Sequence, residues 1–185
     1  DPHKYFRKRV LIVGGKNSAI EAAIRLHHVE AEVSISYRRP EFTARSIKYW
    51  IYPEFKTYIN AGQIKTYMGS AVGRITRECV VLEPTSLGPE YVDQAEAEPT
   101  RGSGKAHFIE ARTEVSVDFV LMLVGYDADM SLAKLAGVQL CGASQIPVYN
   151  EQTMETNVAG VYIAGTAIAG TQDRYRVFLE NCHIH

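Results

Sequence analysis

Val10-Leu11-Ile12-Val13 is a wholly apolar run that stops on Gly14-Gly15, and the next residues change to helical spacing. Four apolar residues with no polar alternation make a strand buried on both faces, as in a parallel sheet. From Asn17 to Leu26, the apolar positions Ile20, Ala23 and Ile24 fall on one helix face, and the small Ala19, Ala22 and Ala23 allow close approach to a sheet. Val33, Ile35 and Tyr37 then alternate with Glu32, Ser34 and Ser36, which predicts a second strand. A strand, a helix and a strand in this order predict a parallel sheet with a helical crossover, hence the α/β class.

Beyond this unit, Pro53 marks the start of a helix that ends at Gly62, because proline suits a first helical turn and glycine a C-terminal cap. Ile64 to Met68 reads as a strand. Ala71 to Thr76 and Cys79 to Leu82 read as a hairpin turning at Arg77-Glu78. Residues 84–105 are polar and rich in Gly, Pro and Glu, which predicts a mobile loop. β character resumes over His107–Arg112 and Val115–Val124. The expectation is a parallel core with an antiparallel insert. After Gly125, a short helix is expected at Leu132–Leu135, strands at Val148 and Val161–Ala164, and a helix from Arg174 to His185.

Composition serves mainly to exclude. A net charge of −1 lacks the basic excess of a nucleic-acid binder. No apolar run approaches the roughly 18 residues that span a membrane. Asp1-Pro2-His3-Lys4 does not read as a signal peptide. Cys79, Cys141 and Cys182 are scattered and odd in number, which fits free thiols in a reducing cytoplasm. No redox pair and no metal site are expected.

Gly14-Gly15-Lys16-Asn17-Ser18-Ala19 fits a phosphate-binding turn of the form G-x-x-x-x-A, with Lys16 where a second glycine is usual. Such a turn needs a sharp bend and small residues, so that a pyrophosphate reaches the free N–H groups of the following helix. The context is the required one, after a buried strand and before a helix. A merely tight turn would use the same glycine. Lys16 has two destinations, a phosphate or solvent.

The end of the second strand discriminates between cofactors. An NAD site places an acidic residue there, against the ribose 2′-hydroxyl. Here the residues are Tyr37-Arg38-Arg39, with Glu41 too late for that role. Two guanidinium groups suit a 2′-phosphate, so NADPH is expected rather than NADH; a solvated arginine pair is the plain alternative. Tyr52-Pro53-Glu54-Phe55-Lys56 matches Y-x-x-x-K, the catalytic pair of short-chain dehydrogenases. That reading is set aside, because Pro53 is expected to leave Tyr52 outside the helix and the glycine spacing of that family is absent.

Three segments in order resemble the second half of a pyridine nucleotide–disulfide oxidoreductase of the low-molecular-weight thioredoxin reductase class. They are Val10 to Glu21, Leu123-Val124-Gly125-Tyr126, and Met154 to Gly165. Gly14 to Ala19, Lys48-Tyr49-Trp50 and Pro147-Val148-Tyr149-Asn150-Glu151 are similar to its bacillithiol-disulfide reductase branch. The resemblance implies a Rossmann-like three-layer β/β/α NADPH-binding domain over 1–125, and an incomplete segment of a FAD-binding domain over 126–185. It implies Gly14, Gly15, Lys16, Asn17, Ser18 and Ala19 around the pyrophosphate, Arg38 and Arg39 at the 2′-phosphate, Gly165 and Thr166 on the flavin side, and Gly125, in the segment that returns the chain to the FAD domain, as a further cofactor-binding residue. It also implies electrons passing from NADPH through FAD to a small-molecule disulfide or other low-molecular-weight thiol substrate, in a homodimer, with no nucleic-acid or membrane partner. Two departures stand out: Thr166 replaces the aspartate of the wider class, and no C-x-x-C is present. A ferredoxin–NADP-type reductase and a non-catalytic NADPH sensor are the alternatives. The chain is expected to be a piece of a longer protein, inactive by itself, whose strands after Gly125 pack elsewhere or pair between chains.

Overall fold

A computed structural model describes residues 1–44, 47–85 and 107–171. The chain divides into two compact units, Asp1–Val124 and Gly125–His185.

In the first unit, β1 (Arg9–Val13), α1 (Asn17–His28) and β2 (Glu32–Tyr37) form the opening βαβ, followed by α2 (Tyr52–Asn60) and β3 (Lys65–Met68). Next come β4 (Ser70–Ile75), β5 (Cys79–Pro84), β6 (His107–Phe108), β7 (Thr113–Ser116) and β8 (Phe119–Met122). Five strands make one sheet in the order β6-β3-β2-β1-β8, parallel throughout. The remaining three make an antiparallel sheet in the order β4-β5-β7.

The apolar run of β1 accounts for the layering. Val10 and Ile12 pack with Ile20, Ala23 and Ile24 of α1 and Phe55 and Ile59 of α2. Leu11 and Val13 point the other way, onto Val80, Leu82 and Val115 of the antiparallel sheet. Alternate side chains of one strand thus feed two cores, which is why no polar residue interrupts it. The result is a three-layer β/β/α architecture. Phe55 is fully buried, and a side chain of that kind stabilises by about 1.5–3 kcal/mol on leaving water.

Local signals account for the helix ends. Gly62, at φ +70°, donates its N–H to the Ile59 carbonyl, and Gln63 donates to Tyr58, closing α2 with a Schellman cap. Glu30 closes α1 the same way, its N–H on His27 and that of Ala31 on Leu26, in spite of a φ of +58° that favours glycine. α2 begins at Tyr52, one residue earlier than expected, with Pro53 second in the helix. The first N–H groups of a helix have no intrahelical acceptor, so proline fits the second position as well as the first. Tyr52 is therefore inside the helix, and the Y-x-x-x-K reading is rejected on its glycine spacing alone.

Arg9 and Asp118 tie the amino ends of β1 and β8. The Asp118 carboxylate accepts from the Arg9 backbone N–H at 2.8 Å and from its guanidinium at 2.8 and 3.3 Å. These bonds hold the Asp118 carboxyl at about 2, below the usual 3.8. A depressed carboxyl stabilises the fold above its unfolded pKa and loses that contribution as pH falls through the folded one. Asp118→Asn is therefore expected to lower the urea midpoint at pH 6 and to converge on the wild type between pH 4 and pH 2. A gap that stays constant over that range would refute the role of this pair.

In the second unit, α3 (Ser131–Leu135) precedes a short antiparallel pair, β9 (Leu140–Cys141) and β10 (Ile146–Pro147). Two expected strands are corrected here. Val148 lies just past β10, and Val161–Ala164 forms no strand; among the described residues Tyr162 makes one isolated bridge to Glu155. An apolar stretch becomes a strand only where neighbours on its edges take up its N–H and C=O groups. Pro84 belongs to β5, opposite Ser70, while 86–106 and the helix expected from Arg174 lie outside the described residues.

Candidate dinucleotide-binding site

β1 lies between β2 and β8, its sequence neighbour on one side and a distant strand on the other. This is the topological switch point of an open parallel sheet, where ligands sit beyond the carboxyl ends of the strands. The glycine turn follows from that position. Gly14 donates its N–H to the Ser36 carbonyl at 2.9 Å, and Leu123 donates to the Val13 carbonyl at 2.8 Å. The peptide group that joins Val13 to Gly14 is thus held on both sides, its N–H by Ser36 and its carbonyl by Leu123.

The two glycines are required by neighbours that the motif does not contain. A Cβ on Gly14, whose φ is +139°, would lie 2.3 Å from the Leu123 carbonyl oxygen and 3.2 Å from Ala19 Cβ. A Cβ on Gly15 would lie 2.4 to 2.5 Å from the ring of Tyr37. That ring stacks on Phe42 with centroids 5.4 Å apart, and Phe42 meets Phe55 edge-on at 5.1 Å. An aromatic chain therefore runs from the turn to α2. Sequence reasoning missed Leu123 and the role of the Tyr37 ring, because both reach the turn only through strand pairing.

Lys16 is the N-cap of α1, with extended backbone, and its side chain makes no cap hydrogen bond. Its carbonyl accepts from Ile20 N–H at 3.1 Å. Asn17 turns its carboxamide oxygen to the Lys48 N–H at 2.7 Å, and the Lys48 ammonium lies 3.4 Å from Glu21. The asparagine side chain thus anchors residue 48 rather than capping the helix. Ser18 is exposed and Ala19 buried. The helix presents its first backbone N–H groups, with no side-chain cap from Lys16, at the positive end of its dipole, a setting for an anion.

Arg38 and Arg39 follow the last paired residue of β2, on the same carboxyl edge of the sheet. Arg38 is exposed and Arg39 half-buried. The Arg9–Asp118 pair marks the opposite edge, about 13 Å away along a four-residue rise of β1.

Gly125, Gly165 and Thr166 belong to the second unit. Gly125 has φ +104°. Gly165, at φ +70°, opens a 3₁₀ turn, Gly165–Ala169, on which Thr166 is exposed. Ile168 and Ala169 bury the far end of this turn against Tyr149, Met154 and Ile163. Thr171 then donates its N–H to Ser144 at 2.7 Å and accepts the Ala128 N–H at 2.8 Å. Cys79 and Cys141 are free thiols, and Cys182 lies outside the described residues. Among the described residues there is no cluster of His, Cys, Asp or Glu able to hold a metal, and no helix long and apolar enough to cross a membrane.

Known proteins share this architecture. Bacilliredoxin reductase Bdr of Bacillus subtilis is 36% identical over 183 residues, covering 99% of this chain and 49% of that protein. Ferredoxin–NADP reductase 2 of Bacillus licheniformis is 27% identical over 166 residues, covering 89% of this chain and 41% of that one. The solved structure of bacillithiol disulfide reductase Bdr from Bacillus cereus, 31% identical, matches with a TM-score of 0.78 over 100% of this chain and 49% of its own. The chain thus spans about half the length of these relatives. The profile of the pyridine nucleotide-disulphide oxidoreductases matches residues 1–88 and 90–165, so the glycine turn at the switch point is that of a family member: this chain belongs to the pyridine nucleotide-disulphide oxidoreductases.

Proposed function

We propose that the first unit binds NADPH, and that the protein uses it to reduce a low-molecular-weight disulfide by way of FAD. One observation carries the reading. Two sterically enforced glycines stand at the switch point, before a helix whose N-cap side chain does not cap it. The backbone of Gly14, Gly15, Lys16, Asn17, Ser18 and Ala19 would hold the pyrophosphate, with the Lys16 ammonium beside it. Arg38 and Arg39 would hold the 2′-phosphate, an assignment supported by the lack of any carboxylate at residues 37–39. Gly125, Gly165 and Thr166 would face the flavin, a reading supported by the open space around the Cβ position of both glycines.

When bound, the nicotinamide supplies a hydride and the flavin relays its electrons. The residues here bind and orient. The turn fixes the pyrophosphate, and the arginines select the phosphorylated ribose. The name of one solved relative, bacillithiol disulfide reductase, supports a small disulfide as the final acceptor. The ferredoxin–NADP reductase relative supports a second reading, in which electrons leave singly to a protein. Titration of the chain with NADPH and NADH tests the cofactor assignment, with much tighter binding of NADPH expected. Equal affinity, or none, would sink it. In a protein that also carries the flavin half, NADPH-dependent turnover of a small thiol disulfide but not of oxidised ferredoxin would separate the two acceptors.

A further inference from the structure

We infer that Thr85 is a positioning residue that sets the preference for NADPH by holding the backbone of Arg38 and Arg39. The inference rests on the reading of those arginines as the 2′-phosphate contact. The last ladder pair between β2 and β3 is Tyr37 with Met68, so the arginines stand just beyond the regular sheet, where strand pairing no longer restrains the chain. Three hydrogen bonds restrain it instead. The Thr85 hydroxyl donates to the Arg38 carbonyl at 2.9 Å. Gly69 N–H donates to the Arg39 carbonyl at 3.1 Å, and Thr85 N–H donates to the Gly69 carbonyl at 2.8 Å. Thr85 therefore holds Arg38 directly and Arg39 through Gly69.

Gly69 is itself confined. Its φ is +62°, and a Cβ there would lie 2.4 Å from the Phe108 ring of β6. The anchor thus joins the end of β5, the β3–β4 turn and the end of β2. A guanidinium stands several bonds from its Cα, so a small tilt of the peptide displaces it appreciably. A designed polar contact tolerates roughly 0.5 Å and 10–20° of error. Loss of the Thr85 hydroxyl frees the Arg38 carbonyl and leaves the direction of Arg38 less defined, while the backbone bonds through Gly69 still hold Arg39. The ribose of NADH offers them no phosphate to read, so NADH binding does not depend on the anchor.

The test measures NADPH and NADH affinities and the thermal midpoint for the 185-residue chain and four variants: Thr85→Val, Thr85→Ser, the pair Arg38→Ala/Arg39→Ala, and that pair with Thr85→Val. Thr85→Val keeps the β-branched shape and removes the hydroxyl. It is expected to weaken NADPH roughly three- to tenfold, the range for one hydrogen bond, and to leave NADH within twofold. Thr85→Ser keeps the hydroxyl and is expected to retain the wild-type ratio of the two affinities. Adding Thr85→Val to the double arginine variant should change neither affinity. The inference is overturned if Thr85→Val preserves the ratio, if it weakens both cofactors equally, or if it lowers only the thermal midpoint. Serine behaving like valine would overturn it as well. If the double arginine variant keeps the wild-type ratio, the arginine reading fails first and this inference falls with it, an outcome distinct from failure of Thr85→Val alone.

Discussion

Gly14→Ala is expected to abolish dinucleotide binding and to destabilise the first unit by about 2–5 kcal/mol, adding a steric overlap of about 1–3 kcal/mol to a backbone cost of about 1–2. The overlap has no soft partner. The added Cβ would meet the Leu123 carbonyl oxygen at 2.3 Å, and that residue is held by its own N–H on Val13. Relief requires the end of β8 to move away from β1, which opens the switch point itself. Gly62→Ala is the control. Its φ of +70° is also positive, but no atom lies within 4 Å of the new Cβ, so only the backbone cost of about 1–2 kcal/mol remains. Urea unfolding of both variants checks the comparison. Equal losses would mean that Leu123 gives way freely and that the turn is not sterically enforced.

Arg38→Ala is expected to weaken NADPH roughly tenfold to hundredfold while leaving NADH nearly unchanged, because it removes a charge-assisted contact that only the 2′-phosphate makes. Arg38 is exposed, so the contact is also salt-sensitive. The difference between wild type and variant should narrow as ionic strength rises from about 0.01 to 1 M, over which the screening length falls from about 30 to 3 Å. Affinities for both nucleotides at several salt concentrations provide the measurement. Equal losses for NADPH and NADH would show that Arg38 touches a part common to both.

The segments legible in the sequence are those whose signals are local. β1, α1 and β2 follow from an apolar run, a helical period and an alternation within 28 residues, and α2 from a proline and a glycine that bracket it. The apolar stretch at Val161–Ala164 misled for the opposite reason, since its apolar side chains describe an environment while a strand is a relation between two segments. The side-chain oxygen of Asn17, a residue of the expected phosphate turn, is engaged by the backbone of Lys48, 31 residues on. No pattern near Asn17 signals that bond.

By itself, the sequence determined the order strand, glycine turn, helix, strand, the need for burial on both faces of β1, and the basic rather than acidic end of β2. These are properties of neighbouring residues, set by backbone sterics and side-chain period. Only the tertiary structure decided why the turn must be glycine. The motif explains Gly14 and Gly15 by the approach of a phosphate. The fold brings the Leu123 carbonyl and the Tyr37 ring to the places their Cβ atoms would occupy. Strand pairing across more than a hundred residues puts Leu123 beside Gly14, and close packing leaves no room there for a methyl group.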